Sequence, residues 1–424
     1  MPSLFVGFSN DDLSHRLMLE GKDPGYSGGW LGLYDFTPPD LPTSRVIDLG
    51  LFPWFTDPGL RLRFFRPLSS VSLALDHALF GRNAVLAHVQ TLIWFAALVA
   101  IASRLYRRWF TPPAALLATL VFGLSGVHAI PLSWIASRHT LIAATFGLLA
   151  LWAWSRYREE RFSAGAPLAL VALLAGLAAS ESALVAVPLL AAYELGTRGL
   201  KRGLRGAAFP LGVALVYLIL YAALGYGTQR SGFYVSPFET PLSYLAAMFW
   251  GMPALWTELL LGVPSILSAM RGPSGQITFV VLGLGAAVGA LCSLRALSRA
   301  LPEQTRRTLL WSALGAALGL SALVGVLVSG RVLPLPEFAA AGLGGNALWA
   351  AWRLARGHQP SSGRKRWWWT LALVGLFQLA IPVLLRLAMP KAFARQGDVE
   401  RRLAEQADVG PCSSGGSVYL VNGA

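Results

Sequence analysis

Two adjacent carboxylates, Asp11 and Asp12, form the densest acidic pair in the first eighty residues of the chain. Two like charges side by side can separate their pKa values, which leaves one carboxylate suited to accept a proton as a general base. The same pair could instead cap a helix or lie in a solvated loop, and spacing alone leaves both interpretations open.

Two arginines are candidates for binding a phosphate group. Arg66 follows an aromatic pair and precedes Pro67, and Arg138 follows a short turn at the start of an apolar run. A guanidinium group binds phosphate oxygens through two parallel hydrogen bonds. Arg66 could equally anchor the chain at a membrane surface.

Four further polar residues are candidates for lining a binding pocket. His88 lies early in one apolar run and His128 late in the next, where a lone histidine can also be a packing residue. Glu181 lies at an expected helix start, where a carboxylate also complements the helix dipole, and Tyr234 lies in a loop. The chain has no nucleotide-binding glycine loop, HExxH or GxSxG motif, which disfavours ATP-driven transport, metalloprotease and serine-hydrolase chemistry.

The composition indicates that these residues are positioned by a membrane protein. Of 424 residues, 55% are hydrophobic and 13% are charged, whereas soluble domains carry about 25% charged residues. The net charge of +14 comes from short basic clusters between apolar runs, which are typical of topology signals rather than of nucleic-acid binding. The two cysteines, Cys292 and Cys412, are not expected to form a disulfide or a zinc site.

The apolar runs predict an all-α polytopic bundle. Runs close to the ~20 residues that a spanning helix needs lie near 84–105, 113–132, 138–155, 164–180, 182–196, 206–225, 277–297, 308–328, 336–352 and 368–389. Basic clusters occupy alternate connections, at Arg104–Arg108, Arg156–Arg161, Arg198–Arg205, Arg295–Arg307 and Arg353–Arg366. The positive-inside rule places these clusters in the cytoplasm and both ends of the chain outside. Residues 240–261 do not fit this alternation, and we expect them to be interfacial or re-entrant, with Pro253 and Pro264 breaking the helix.

Three regions are predicted. Residues 1–82 form an extracytoplasmic catalytic loop of turns and short interfacial helices, anchored by Trp30 and Trp54; a poorly ordered surface loop is the alternative. Residues 83–390 form the transmembrane bundle. Residues 391–424 form an extracytoplasmic tail, in which 417–422 alternates like the first strand of a truncated domain. An external N-terminus without a preceding helix also leads us to expect a missing first transmembrane helix.

Taken in order, these motifs resemble a known family over about residues 8–260. The residues that carry the resemblance are Asp11-Asp12, Arg66-Pro67-Leu68, Asp76, Gly81, His88, Gly123 to His128, Trp134-Ile135, Arg138, Ala179 to Leu184, Pro188, Tyr234 and Pro237. The set is similar to membrane glycosyltransferases of the GT-C type, in the branch of dolichyl-phosphate-mannose protein mannosyltransferases and their tetratricopeptide-linked relatives. It is specific as an ordered set, whereas no single motif is.

The resemblance implies a GT-C-like bundle of about ten to eleven transmembrane helices with a large first extracytoplasmic loop. Such enzymes lie in the inner membrane and move a sugar from a polyprenyl-phosphate carrier to a protein or glycan acceptor at the outer face. Asp11 or Asp12 would be the base, and Arg66 and Arg138 would hold the leaving phosphate. The pocket would be lined or braced by His88, His128, Glu181 and Tyr234. Metal dependence varies among such enzymes, so a divalent cation stays open as a cofactor.

The chain also departs from the family at several polar positions. The substituted positions are Ser125-Gly126 for His-Pro, Ile130 for a glutamate, Thr140 for an aspartate, Ser180 for a lysine, and Thr91 and Phe95 for asparagine and histidine. These losses favour an alternative, a non-catalytic transporter or assembly factor for lipid-linked glycans. A transporter places ionisable residues along a pathway inside its helices. Here they gather at the outer ends, which favours an interfacial transferase.

Overall fold

The computed structural model describes residues 2–49, 51–232, 234–237, 240–297, 300–326, 328–357 and 361–406. This part of the chain is a helical bundle with one two-stranded antiparallel ribbon. Seven of its helical segments are long and apolar enough to cross a membrane. The all-α membrane class therefore agrees with the prediction, while the number of crossings remains a prediction.

The leading segment consists of turns and short helices, as predicted. It contains helices α1 (Asp11–Leu19), α2 (Thr43–Asp48) and α3 (Pro67–Phe80) and strand β1 (Arg61–Arg63). Strand β1 pairs with β2 (Gly227–Gln229), which ties the leading segment to a loop far along the chain. The predicted anchors Trp30 and Trp54 are both exposed, at 56% and 87%.

The remaining helices form the bundle. They are α4 (Ala84–Trp109), α5 (Pro112–Leu124), α6 (Ala129–Ser133), α7 (His139–Glu160), α8 (Gly165–Ala179), α9 (Ala186–Ala223), α10 (Pro241–Leu261), α11 (Ile266–Met270), α12 (Gly272–Leu297), α13 (Glu303–Leu323), α14 (Glu337–Arg356), α15 (Ser361–Gly375) and α16 (Ile381–Gln406). Short 3-10 turns at Gly126–His128, Ile135–Arg138, Glu181–Val185 and Gly330–Val332 precede or join them.

Helix α9 unites two predicted spans. Its backbone leaves the helical region at Gly199, where φ is 71°. Beyond this kink the chain folds back, because Gly203 and Gly206 pack against Glu194. The two halves are therefore two helices joined by a tight turn, as the separate apolar runs predicted.

Helix α10 differs from the prediction that Pro253 breaks it. The helix is continuous through Pro253 and ends before Gly262, with Pro264 beyond its end. A proline removes one backbone hydrogen bond, and close packing against Gly283 of α12 supports the helix at this point. Tyr244 near its start donates to the carbonyl of Ser321, and Glu258 near its end lies against Gly330. The helix thus runs alongside residues 321–330.

The bundle has two chemically different ends, which helix α7 connects. Its 22 residues span about 33 Å, and most of its residues are buried. At its C-terminal end, Arg108 pairs with Glu159 at 2.6 Å and Arg158 with Glu194 at 2.7 Å. Its N-terminal end lies at the cavity described below.

Helix α16 continues through Pro390, where the transmembrane region was predicted to end, as far as Gln406. The tail region predicted from residue 391 therefore begins as a continuation of this helix. The predicted strand at 417–422 lies outside the described residues.

Candidate functional site

A cavity of about 120 Å³ lies between the leading segment and the N-terminal end of α7. Its polar and aromatic lining residues are Asp11, Tyr34, Phe36, Phe64, Arg66, Trp134, Ser137, His139, Ser180, Glu181, Ser182, Tyr234 and Arg331. The sequence elements that supply them are far apart in the chain. The fold thus brings together four of the predicted site residues, Asp11, Arg66, Glu181 and Tyr234.

The two neighbouring aspartates face different surroundings. Successive helical residues are rotated by about 100°, so Asp11 lines the cavity while Asp12 points away from it. One carboxylate oxygen of Asp12 accepts the N–H of Ala136 at 2.6 Å, and the other accepts the N–H of Ser9 at 3.1 Å. Asp12 therefore fastens α1 to the turn before α7, while the carboxylate of Asp11 remains available to a ligand.

Burial dominates the electrostatics of both carboxyl groups. It raises the pKa of Asp11, against the opposing influence of Arg331 and Arg66. It raises the pKa of Asp12 to about 7, although the N–H groups of Ser9 and Ala136 act in the other direction. A raised pKa makes the Asp11 carboxylate a stronger base than an exposed aspartate.

Arg66 is held in place by neighbours on three sides. Its Nε donates to Oε2 of Glu181 at 2.8 Å, and its Nη1 lies 3.2 Å from Nε2 of His139. Its guanidinium carbon lies 4.3 Å from the ring centroid of Phe64 and 5.1 Å from that of Tyr34. The group is thus preorganised at the cavity wall, with its charge balanced by Glu181.

Glu181 is itself positioned by hydrogen bonds. Its Oε1 accepts from the hydroxyl of Tyr221 at 3.1 Å. The turn that carries it is capped by Ser180, whose Oγ accepts the N–H of Ser182 at 3.3 Å. Ser180, where the resembled family has a lysine, therefore has a local structural role in this chain.

Arg331 is a cavity residue that was not among the predicted site residues. Its Nη2 lies 3.5 Å from the hydroxyl of Tyr234, and its guanidinium carbon lies 5.7 Å from the ring centroid of Trp134. Within the described residues no carboxylate lies within 4.0 Å of its nitrogens, so no ion pair neutralises it there. The available signal was its position as the first charge in an outer connection that carries few positive residues.

Arg138, the second arginine predicted to bind a phosphate, is buried away from the cavity. Its five N–H groups face five acceptors: Thr91 Oγ1 at 2.8 Å, Ser72 Oγ at 3.1 Å, Gln90 Oε1, the carbonyl of Ala87 at 2.7 Å and Asp76 Oδ2 at 2.7 Å. The side chain extends from the start of α7 toward α3 and α4. It has no donor left for a phosphate, and it fastens three helices together.

The two predicted histidines also lie outside the cavity. Nε2 of His88 lies 3.2 Å from the carbonyl oxygen of Gly7, which places the ring beneath the leading segment. His128 is packed between Phe95 and Phe122, with ring centroids 5.1 and 4.9 Å away. Both are fully buried, and their surroundings favour the packing interpretation.

Tyr234 is another lining residue, and its ring centroid lies 5.6 Å from that of Phe64. His139, the residue after Arg138, was not among the predicted site residues and also lines the cavity. Among the described residues, no three His, Cys, Asp or Glu side chains come together in a way that could hold a metal ion.

No family model and no curated protein matches the chain. Among solved structures, it is similar to the crystal structure of ArnT from Cupriavidus metallidurans bound to undecaprenyl phosphate, with 15% identity and a TM-score of 0.45, covering 95% of this chain and 78% of that one. The apo state of the same protein gives 15% identity and a TM-score of 0.44, with 95% and 77% covered. Identities and TM-scores this low assign neither an activity nor a ligand.

Proposed function

We propose that this protein is an integral-membrane glycosyltransferase that moves a sugar from a polyprenyl-phosphate carrier to an acceptor hydroxyl at the outer face of the membrane. The observation that carries the proposal is the composition of one cavity. A carboxylate of raised pKa, Asp11, shares it with Arg331 and with the preorganised Arg66. A base can deprotonate the acceptor hydroxyl, and fixed cations can stabilise the charge that develops on the leaving phosphate.

In the proposed reaction, Asp11 accepts the proton of the acceptor hydroxyl while that oxygen attacks the anomeric carbon. The bond between this carbon and the phosphate oxygen breaks, its electron pair stays on the phosphate, and the sugar inverts. The phosphate gains negative charge as the bond breaks. Arg331 and Arg66 would stabilise that charge, because fixed cations in a water-poor site act most strongly where charge develops.

The other cavity residues would position these groups. Glu181 holds Arg66 in a fixed orientation, and Tyr234 contacts Arg331 and covers Phe64. The phosphate-binding role predicted for Arg138 passes to Arg331 in this proposal. Loss of the family's polar residues at Ile130 and Thr140 leaves this set of groups intact, because neither residue lines the cavity.

The test is sugar transfer in membrane vesicles from undecaprenyl-phosphate-linked sugars, beginning with mannose. Asp11→Asn should lower turnover by about 10²–10⁴-fold, the contribution of a general base, with unchanged protein level. Asp48→Asn, at an exposed aspartate of the same leading segment, is the matched control and should transfer at the wild-type rate.

Two results would count against the proposal. Equal turnover of Asp11→Asn and wild type would reject Asp11 as the base. If the wild type transfers no sugar from any polyprenyl-phosphate donor, the non-catalytic transporter or assembly factor becomes the better description.

A further inference from the structure

A second cavity, of about 290 Å³, lies between α4, the end of α5, α6 and α16. It shares no residue with the cavity of Asp11. Apolar side chains make most of its wall: Phe95, Leu124, Ala129, Leu132, Val383, Leu387 and Pro390. Its polar side chains come from Ser3, Ser133 and Arg386.

Arg386 is an unbalanced charge inside a helix that is apolar enough to span a membrane. Its Nη1 donates to the carbonyl of Gly123, and its guanidinium carbon lies 5.0 Å from the ring centroid of Phe95. Over the described residues no carboxylate pairs with it, and this carbonyl is its one hydrogen-bond acceptor. Arg386 differs in this respect from Arg138, whose five N–H groups all have acceptors.

Ser133 provides a second, independent observation. Its side chain is 1% exposed, and its Oγ has no hydrogen-bond partner among the described residues. A buried hydroxyl without a partner is costly, and a charged side chain at membrane depth is more costly still. Both groups line the same cavity, so one ligand with several acceptor oxygens would satisfy them together.

We propose that this cavity binds an anionic phospholipid, with the headgroup phosphate on Arg386 and Ser133. A phosphodiester supplies a single negative charge and oxygens that match the guanidinium fork. The apolar wall suits an acyl chain, and the guanidinium group beside it supplies the positive charge that an anionic headgroup needs. The site is independent of the proposed sugar transfer.

The test compares spin-labelled phosphatidylglycerol with spin-labelled phosphatidylcholine around the full chain in lipid nanodiscs. The wild type should retain phosphatidylglycerol about fivefold more strongly, as expected for one cation acting on one anionic headgroup. Arg386→Gln should abolish this preference, and Ser133→Ala, which keeps the charge and is less disruptive, should reduce it. Arg395→Gln is the matched control, because Arg395 is exposed on the same helix.

Three results would overturn the proposal. Equal preference in Arg386→Gln, with the folded state verified by its unfolding temperature, would exclude a headgroup at Arg386. An equal loss in Arg395→Gln would indicate general charge attraction. Displacement of the lipid by millimolar inorganic phosphate, or by polyprenyl phosphate at an equal mole fraction, would assign the cavity to that ligand instead.

Discussion

At the scale of single residues, the main result is that the two neighbouring aspartates have different surroundings. Both carboxylate oxygens of Asp12 accept backbone N–H groups, whereas within the described part of the chain neither oxygen of Asp11 accepts a hydrogen bond. The sequence could predict the pair but not the assignment. Which carboxylate reaches the cavity depends on the rotation of α1, and the turn at Ile135–Arg138 that receives Asp12 lies more than a hundred residues away.

Asp12→Asn should lower stability, whereas Asp11→Asn should not. An amide keeps only one oxygen, so one of the two buried N–H groups loses its acceptor, at a cost of about 1–3 kcal/mol. Thermal unfolding in detergent should show a lower midpoint for Asp12→Asn and a wild-type midpoint for Asp11→Asn. Equal midpoints in both variants would mean that Asp12 does not fasten α1.

Lysine substitutions should distinguish a substrate-binding role of Arg331 from a structural role of Arg138. Arg331→Lys replaces a fork by a point charge, and the loss of one charge-assisted hydrogen bond, about 1.5 kcal/mol, should raise the donor KM about tenfold. Arg138→Lys offers three donors to five acceptors and should lower the unfolding midpoint instead. A raised KM at wild-type stability in Arg138→Lys would restore its predicted role at the phosphate.

At the scale of elements, apolar runs and basic clusters predicted most helices, because length and hydropathy are local properties. The same signal could not show that α10 stays continuous through Pro253, since that depends on its packing against α12. It also could not select Arg331, because the position of an arginine in an outer connection does not show whether its side chain faces the cavity. Local pattern thus located the elements, and long-range packing determined the site.

Two glycines of α9 allow the packing of this helix to be tested. A Cβ at Gly206 would overlap the carboxylate of Glu194, which holds Arg158, whereas a Cβ at Gly212 meets open space. Gly206→Ala should therefore destabilise the protein by about 1–3 kcal/mol through overpacking. Gly212→Ala should be neutral or stabilising, because alanine favours helix. The thermal unfolding midpoints of the two variants test this expectation. Equal changes in both midpoints would contradict the fold-back of the chain at Gly199.

At the scale of the whole molecule, the bundle separates a basic end from the end that carries the cavity. The positive-inside rule predicts that the cavity end faces outward. In a background with Cys292 and Cys412 replaced by serine, an impermeant thiol reagent applied from outside should label Ser44→Cys. It should leave Ser163→Cys, at the basic end, unlabelled until the membrane is permeabilised. Labelling of Ser163→Cys but not of Ser44→Cys would indicate the opposite orientation in the membrane.

The charge balance of the cavity has a consequence for binding. Within the part of the chain that the structure describes, the charges of its lining residues Asp11, Glu181, Arg66 and Arg331 sum to zero, so a bound phosphodiester adds one uncompensated negative charge. Since burial already raises the pKa of Asp11, donor binding should be coupled to proton uptake at this carboxylate. Donor affinity should then increase as pH falls, while kcat decreases because the base must be ionised. Calorimetry in buffers of different ionisation enthalpy should detect proton uptake on donor binding to the wild type. The same measurement should detect no such uptake in Asp11→Asn.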